Sequence, residues 1–382
     1  MTFYQDDGQY DWLEKDCQFK LTLNDDGYAA SVAVQVGGEL YDPQLRWAEP
    51  DGSVVVSDIG GQATREWDPA GGHGAIWRLK PDNVLEPIVP PGTPGFTAPI
   101  RPALAPDTFG QWAGHIFTIA QAHPGRAGAH RAHAVYRVAP GSPEPVRFVT
   151  LPVSGDLGGG VSAAGMTGTF GAKGTPHEGF LYCQSLANCT VYRVTPDGEA
   201  LPFMVTAPPL VERPLMPFIT FIAPAYGPWA PYAGELLLAG RMSTYLDQHE
   251  PDMTMTYWRV DASGRSLDRL PELRYRADGV SGPLASADFG PFGGQMLTVD
   301  EGRTNLLHTS GNQINSAPVP YDGRILRIAP DGSEHVFATG LQGGQTTMVF
   351  AGGRLLVGSG RKSYSTGEYH HPDGSVYEIK PV

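Results

Sequence analysis

Cysteine is scarce in this chain of 382 residues, with three in all. An odd, small number does not describe a fold stapled by disulfides, as small secreted proteins are. Cys183 and Cys189 are spaced to face each other across a hairpin, and two reduced, half-buried thiols are the expectation. Basic charge is also short, since 27 Lys and Arg against 40 Asp and Glu leave a formal charge of −13. That balance repels phosphate backbones and anionic headgroups, so neither nucleic acid nor a membrane is expected as a partner. No apolar run approaches the roughly 20 residues that span a bilayer. The opening Met1-Thr2-Phe3-Tyr4-Gln5-Asp6-Asp7 has no basic n-region and no apolar h-region, and the expectation is a soluble, cytoplasmic protein. Helical periodicity is missing too, because no 3.6-residue apolar period lasts beyond two turns.

What is present in quantity is turn-forming residues, 49 Gly and 35 Pro, beside 16 Tyr, 15 Phe and 7 Trp. The aromatics and aliphatics exclude disorder, and the glycines have no strict period of three, which excludes a collagen-like chain. A short strand ending in aromatic-Arg-aliphatic and running into a turn recurs at intervals of about 50 to 70 residues. The copies are Ile76-Trp77-Arg78-Leu79, Val135-Tyr136-Arg137-Val138, Val191-Tyr192-Arg193-Val194, Tyr257-Trp258-Arg259-Val260, Ile325-Leu326-Arg327-Ile328 and Val376-Tyr377-Glu378-Ile379. Several stop at Pro-Asp or Pro-Asp-Gly, which marks a strand entering a tight hairpin.

Upstream of each copy lies a small or Gly-rich turn followed by an aliphatic run, as in Asp51-Gly52-Ser53-Val54-Val55-Val56 and Gly352-Gly353-Arg354-Leu355-Leu356-Val357. A further strand precedes each turn and another follows each aromatic-Arg copy, as in Val146-Arg147-Phe148-Val149. Four strands repeated six times predict an all-β, six-bladed β-propeller with four-stranded antiparallel blades, filling 1–382 as one domain. The sixth unit ends at Val382 after its third strand. The N-terminal segment 31–38 resembles the fourth strand around Val336-Phe337-Ala338, so it is expected to close the ring beside the C-terminal blade, with 1–30 as an outer appendage.

These residues resemble the six-bladed propeller superfamily of SMP-30/gluconolactonase-like, NHL-repeat, strictosidine-synthase-like and sugar-dehydrogenase-like proteins. The likeness is strongest from Leu40-Tyr41-Asp42-Pro43 through Ser57-Asp58-Ile59 and in Ile76-Trp77-Arg78-Leu79, and it is good from Gly323-Arg324-Ile325 through Leu341. The resemblance implies the fold, whose blade motifs carry little functional information. For the lactonase-like members it also implies a divalent metal, calcium or zinc, held by an early glutamate with later Asn and Asp residues. Glu39 stands where that glutamate is expected, but no Pro-Asn-Gly turn occurs in the chain. Asp58 and His249 are the other metal candidates. The His-and-Arg apparatus of quinone-linked dehydrogenases has no residue-by-residue match.

In a propeller, the loops between second and third strands open on one face around the channel, where function resides. Here five are long, 58–75, 120–134, 241–254, 300–322 and 361–373. They hold eight of the 11 histidines: His73, His123, His130, His133, His249, His308, His370 and His371. Histidine changes charge near neutral pH, so its concentration on one rim points to a site, although exposed loops carry histidines for solvation as well. The expected machinery pairs His123 or His308 as acid or base with Asp42 or Asp300, while Arg101 and Arg241 hold an oxyanion. Phe218, Tyr245, Gln345, Arg361 and His370 are the substrate-binding candidates. Phe96, Tyr226 to Tyr232 and Tyr245 are placed to give the mouth an aromatic lining. Gly158-Gly159-Gly160 has no following Lys-Ser/Thr, and no Gly-x-Ser-x-Gly elbow occurs in a strand-to-helix setting.

Three functional readings follow. One is a small-molecule enzyme that hydrolyses a lactone or ester, or runs a lyase or isomerase step. The second is a non-catalytic propeller that binds a ligand or protein, and the third is a quinone-linked sugar or alcohol dehydrogenase.

Overall fold

A computed structural model describes residues 21–35, 39–40, 43–58, 74–94, 96–121, 133–151, 165–185, 190–206, 216–223, 227–241, 255–265, 267–270, 284–300, 304–310, 313–318, 323–329, 331–341, 346–359 and 374–382. The alternating strands form six antiparallel sheets in a ring, a six-bladed β-propeller. Blade 1 takes Pro43–Ala48, Val54–Asp58, Ala75–Leu79 and Leu85–Val89 in that order from the channel outward. Blades 2 to 4 repeat the order with inner strands Thr97–Leu104, Gly165–Phe170 and Met216–Ile222. Blade 5 begins at Leu284–Ala285 and blade 6 at Thr346–Ala351. The inner strand of blade 1 packs against those of blades 2 and 6, and that of blade 3 against those of blades 2 and 4.

Position in a blade explains composition. A second strand has a neighbouring blade on both faces, so Val54–Asp58, Leu181–Ser185, Met296–Asp300 and Arg354–Ser359 are buried at every residue. Outer strands such as Pro145–Thr150 and Ala200–Val205 are largely accessible, and Pro87, Pro145 and Pro202 interrupt donors on such edges. Apolar clusters fill the wedges between blades. Val55, Ile76, Val89, Phe96 and Ile116 join blades 1 and 2, and Phe109, Phe117, Phe170 and Tyr192 join blades 2 and 3.

The recurring arginine grips the turn between first and second strands of its own blade. Arg78 holds Glu49 through Nε at 2.5 Å and Nη2 at 3.0 Å. Arg137 lies 4.3 Å over Trp112, and Arg193 lies 4.3 Å over Phe180. Arg259 meets Glu235 at 3.5 Å, while Arg327 lies 4.0 Å over Phe292 and donates to Gln295 Oε1 at 3.0 Å. In blades 3 to 6 one partner directly follows a glycine of positive φ, Gly179, Gly234, Gly294 or Gly353, whose left-handed conformation makes the turn. Blade 6 inverts the polarity, with Glu378 at the arginine position and Arg354 after the turn in a buried ion pair.

The ring is closed as the sequence predicts, though the closing strand is Tyr28–Val34, beginning earlier than the 31–38 pattern suggests. It pairs with Ser375–Pro381, placing Val32 opposite Tyr377 and Tyr28 opposite Pro381. Within the stretch expected to be an appendage, Thr22–Leu23 pairs with the outer strand of blade 5, Glu334–Leu341. The N-terminal segment thus edges blade 5 before completing blade 6. Tyr28 anchors the crossing by donating to Phe289 O at 2.6 Å and accepting from Phe292 N at 2.9 Å. A second difference concerns 300–322, which is not a plain loop. It contains an antiparallel ribbon of Thr304–Ser310 with Gln313–Pro318.

Candidate functional site

Most second strands start apolar and several turn polar at the channel-mouth end. Val54-Val55-Val56 is followed by Ser57 and Asp58, Leu181-Tyr182-Cys183 by Gln184 and Ser185, and Met296 to Val299 by Asp300. Asp58, Gln184, Ser185, Asp300 and Ser359 are all buried there, as are Gln44, Thr346 and Thr347 on the adjoining inner strands. Burying polar groups costs free energy unless they are hydrogen-bonded, so each of these needs a partner. Some bind blade to blade. Gln184 Nε2 donates to Thr220 Oγ1 at 2.7 Å across blades 3 and 4, and Thr347 Oγ1 accepts from Leu45 N at 2.8 Å across blades 6 and 1.

Asp58 faces Pro43 in the register. Asp300 is committed to an ion pair, with Arg324 Nε at 2.8 Å and Nη2 at 2.7 Å from its Oδ2. Those two residues flank 301–323, so the pair clamps the root of the ribbon that carries His308. The ribbon places His308 opposite Asn315.

The inner strands of blades 1 to 4 each break register once or more. The interruptions fall between Leu45 and Trp47, Ile100 and Ala103, Thr167 and Phe170, and Pro217 and Ile219. A bulge sets two residues opposite one and re-aims a side chain. In blade 1 both Arg46 and Trp47 point toward blade 2, where Trp47 joins the apolar wedge and Arg46 Nε donates to Pro102 O at 2.9 Å. In blade 2 Arg101 occupies the bulge with a φ of 56°, a left-handed conformation that bulges usually assign to glycine, and it is wholly buried. The Arg46 side chain is partly buried, and the water it loses pushes its pKa down to about 10, still well above neutrality.

The structure brings Arg101 to the channel wall and Asp58 and Asp300 to the mouth level. Arg241 ends the second strand of blade 4 and Phe218 lies in the bulge of its inner strand, each placed by backbone. His123, Asp42, Tyr245, Gln345, Arg361, His370 and His249 lie outside the described residues, as does Cys189. Cys183 is a buried free thiol, and burial pushes its pKa up.

Phe96, expected at the mouth, packs between strands instead, and Trp229 packs there as well. Phe96 is fully buried, 5.7 Å edge-on from Tyr136, and Trp229 is fully buried, stacked 5.3 Å from Phe221. Glu39 is exposed while Asp58 is buried. Among the described residues no three His, Cys, Asp or Glu side chains converge, so these residues do not make the donor set of a divalent cation. Sequence places Arg46, with Arg101, among the polar first-strand residues that face the channel and could hold an anionic group, whereas Arg324 was not singled out. The available signal was proline within an inner strand, Pro99 and Pro102, which calls for a bulge.

Ring, bulged inner strands and polar mouth define the chain as a six-bladed β-propeller. The solved structures it resembles share the fold at low identity. An α-L-arabinanase from Penicillium chrysogenum, solved with arabinobiose, has a TM-score of 0.53 at 13% identity over 95% of this chain and 99% of its own. A protein of unknown function from Dyadobacter fermentans has a TM-score of 0.51 at 12% identity over 94% and 100%. A gluconolactonase from Xanthomonas campestris has a TM-score of 0.47 at 12% identity over 93% and 90%. No family model matches the sequence, and no curated protein matches it. Among the described residues no helix is long and apolar enough to cross a membrane.

Proposed function

We propose that this protein is an enzyme acting on a small molecule at the channel mouth, through acid–base chemistry that opens a lactone or ester or runs a lyase or isomerase step. The observation that carries the reading is the band of buried polar side chains at the mouth ends of the second strands, on strands that are otherwise mostly apolar. In this reading His123 or His308 moves the proton, Asp42 orients the histidine, and Arg101 with Arg241 faces the developing oxyanion. Phe218, Tyr245, Gln345, Arg361 and His370 contact the substrate. The Asp300–Arg324 pair supports this assignment by fixing the base of the ribbon bearing His308, which makes Asp300 a positioning residue.

The test is a panel of lactones, esters and β-eliminating substrates assayed with wild type, His123→Ala and His308→Ala. Turnover that falls at least about a hundredfold in one histidine variant with unchanged folding supports the reading. No turnover of any class by the wild type assigns the protein to the binding reading instead. Activity that both variants retain removes the histidines from the mechanism.

A further inference from the structure

The wall between blades 1 and 2 holds a cation in an unusual setting. Arg46 leaves the inner strand of blade 1 at a bulge and crosses to the inner strand of blade 2. Its Nε is used by the Pro102 carbonyl at 2.9 Å, and among the described residues no carboxylate pairs with it. Of the five guanidinium N–H donors, the end-on pair of Nη groups is left for something else. Pro102 accepts this bond because it falls in the register gap between Ile100 and Ala103, outside the ladder. That gap is held open by Arg101 in a left-handed conformation, an unfavourable state for any residue but glycine. A strained residue kept at a channel wall, next to a partly buried guanidinium with unused donors, is the kind of outlier that points to a binding role.

We propose that this wall is an oxyanion site, and that the molecule entering the channel carries a carboxylate taken end-on by the two Nη groups of Arg46. A carboxylate fits because its two oxygens match the parallel N–H bonds of a guanidinium edge. Arg101 acts here through its backbone, as a positioning residue that turns the Pro102 carbonyl toward Arg46. The lowered proton affinity of Arg46 agrees with a guanidinium that has given up part of its water. The proposal extends the functional reading by naming the substrate as an anion, but it concerns binding and is tested without turnover.

The experiment follows thermal unfolding of the full chain in rising acetate, and separately inorganic phosphate, with sodium chloride holding ionic strength constant. Wild type is expected to show a saturable rise in Tm of about 2 °C with acetate. Arg46→Met is expected to bind acetate at least about thirtyfold more weakly, and Arg46→Lys, which keeps the charge without the fork, to fall between. Arg46→Lys alone decides the matter if Arg46→Met fails to fold: an acetate response equal to wild type overturns the guanidinium site. The absence of a saturable response in wild type also overturns it. A response to phosphate alone overturns the carboxylate assignment. An inactive protein that binds acetate through Arg46 retires only the enzymatic reading, whereas an active one whose Arg46→Met variant binds acetate normally retires only the site.

Discussion

Gly168 sits where the inner strand of blade 3 bulges, and the space for its side chain is already taken. A Cβ there would lie 1.8 Å from Thr220 Oγ1, 2.7 Å from Gln184 Nε2 and 2.8 Å from Tyr182 O. Gly168→Ala must therefore break the Gln184–Thr220 bond between blades 3 and 4, and a loss of about 3 kcal/mol is expected. Urea denaturation checks it, and an unchanged midpoint would show that the blades shift apart freely. His177 shows the same interface from the other end of the blade. Its Nδ1 lies 2.7 Å from the Tyr182 hydroxyl, and its ring also bonds the Val260 backbone. Burial chiefly, with Arg193 adding to it, holds its pKa below the ordinary 6.5. The unfolded chain thus takes up this proton before the folded one does. The stability it contributes is full above about pH 6.5 and drains away as pH falls toward the depressed folded value. In His177→Phe, stability plotted from pH 7 downward is expected to lose that part of the slope. Denaturation midpoints of the two proteins falling in parallel through this window would rule it out.

At the scale of a strand, the recurring arginine is a clasp for the preceding turn, and its energetics depend on burial. Arg78 and Glu49 are both partly exposed, so Arg78→Ala is expected to cost only about 1 kcal/mol. The inverted pair of blade 6 is different, since Arg354 and Glu378 are both nearly inaccessible. Glu378→Leu leaves a buried guanidinium with Asn83 Oδ1 at 3.1 Å as its neutral acceptor, and about 3 to 5 kcal/mol is expected to be lost. Arg354→Met is expected to cost less, because Lys380 still reaches Glu378 at 2.5 Å. Equal losses in the two single variants, measured by denaturation, would refute this asymmetry. Hydrogen bonds from Lys380 and Arg354 outweigh burial and keep the Glu378 carboxyl below its ordinary 4.5, so its stabilisation is present above that pH and lost on further acidification. The clasp was legible as a repeat, Trp77-Arg78 to Tyr377-Glu378, because strands alternate in a period of two. Its partners were not, since Glu49, Trp112, Phe180, Glu235 and Gln295 share only the turn that presents them. The bulges were hidden for a similar reason: one extra residue at Arg46 or Arg101 barely disturbs the alternation yet redirects the side chain.

For the whole molecule, ring number and closure were legible because six similar units and an incomplete last one leave few arrangements. The polar ends of the second strands were legible at Asp58, Gln184 and Asp300, where polarity interrupts an apolar run. The pairing of Asp300 with Arg324 depends on register across 301–323, which no local pattern reports. Closure itself gives the largest expected effect. The N-terminal segment contributes Thr22–Leu23 to blade 5 and Tyr28–Val34 to blade 6, so one stretch of chain spans two blades. Tyr28 ties them through its bonds to Phe289 and Phe292 and its ring contacts with Phe289, Phe292 and Phe337 at 4.8, 5.2 and 5.1 Å. Tyr28→Phe keeps the rings and removes the hydroxyl from buried partners, with an expected loss of about 1 to 3 kcal/mol. Deleting residues through Val34 goes further, since it bares the edge of Ser375–Pro381 and opens the apolar cluster that Tyr28 shares with Phe337, Leu355 and Ile379. An open strand edge is a template for pairing, so the shortened chain is expected to associate with itself in a concentration-dependent way. A synthetic peptide of residues 21–34, added in excess, is expected to reverse this association by occupying both edges. Sedimentation with and without the peptide decides the matter: a shortened chain that stays monomeric and as stable as the full one would mean that the ring holds without its closing strand.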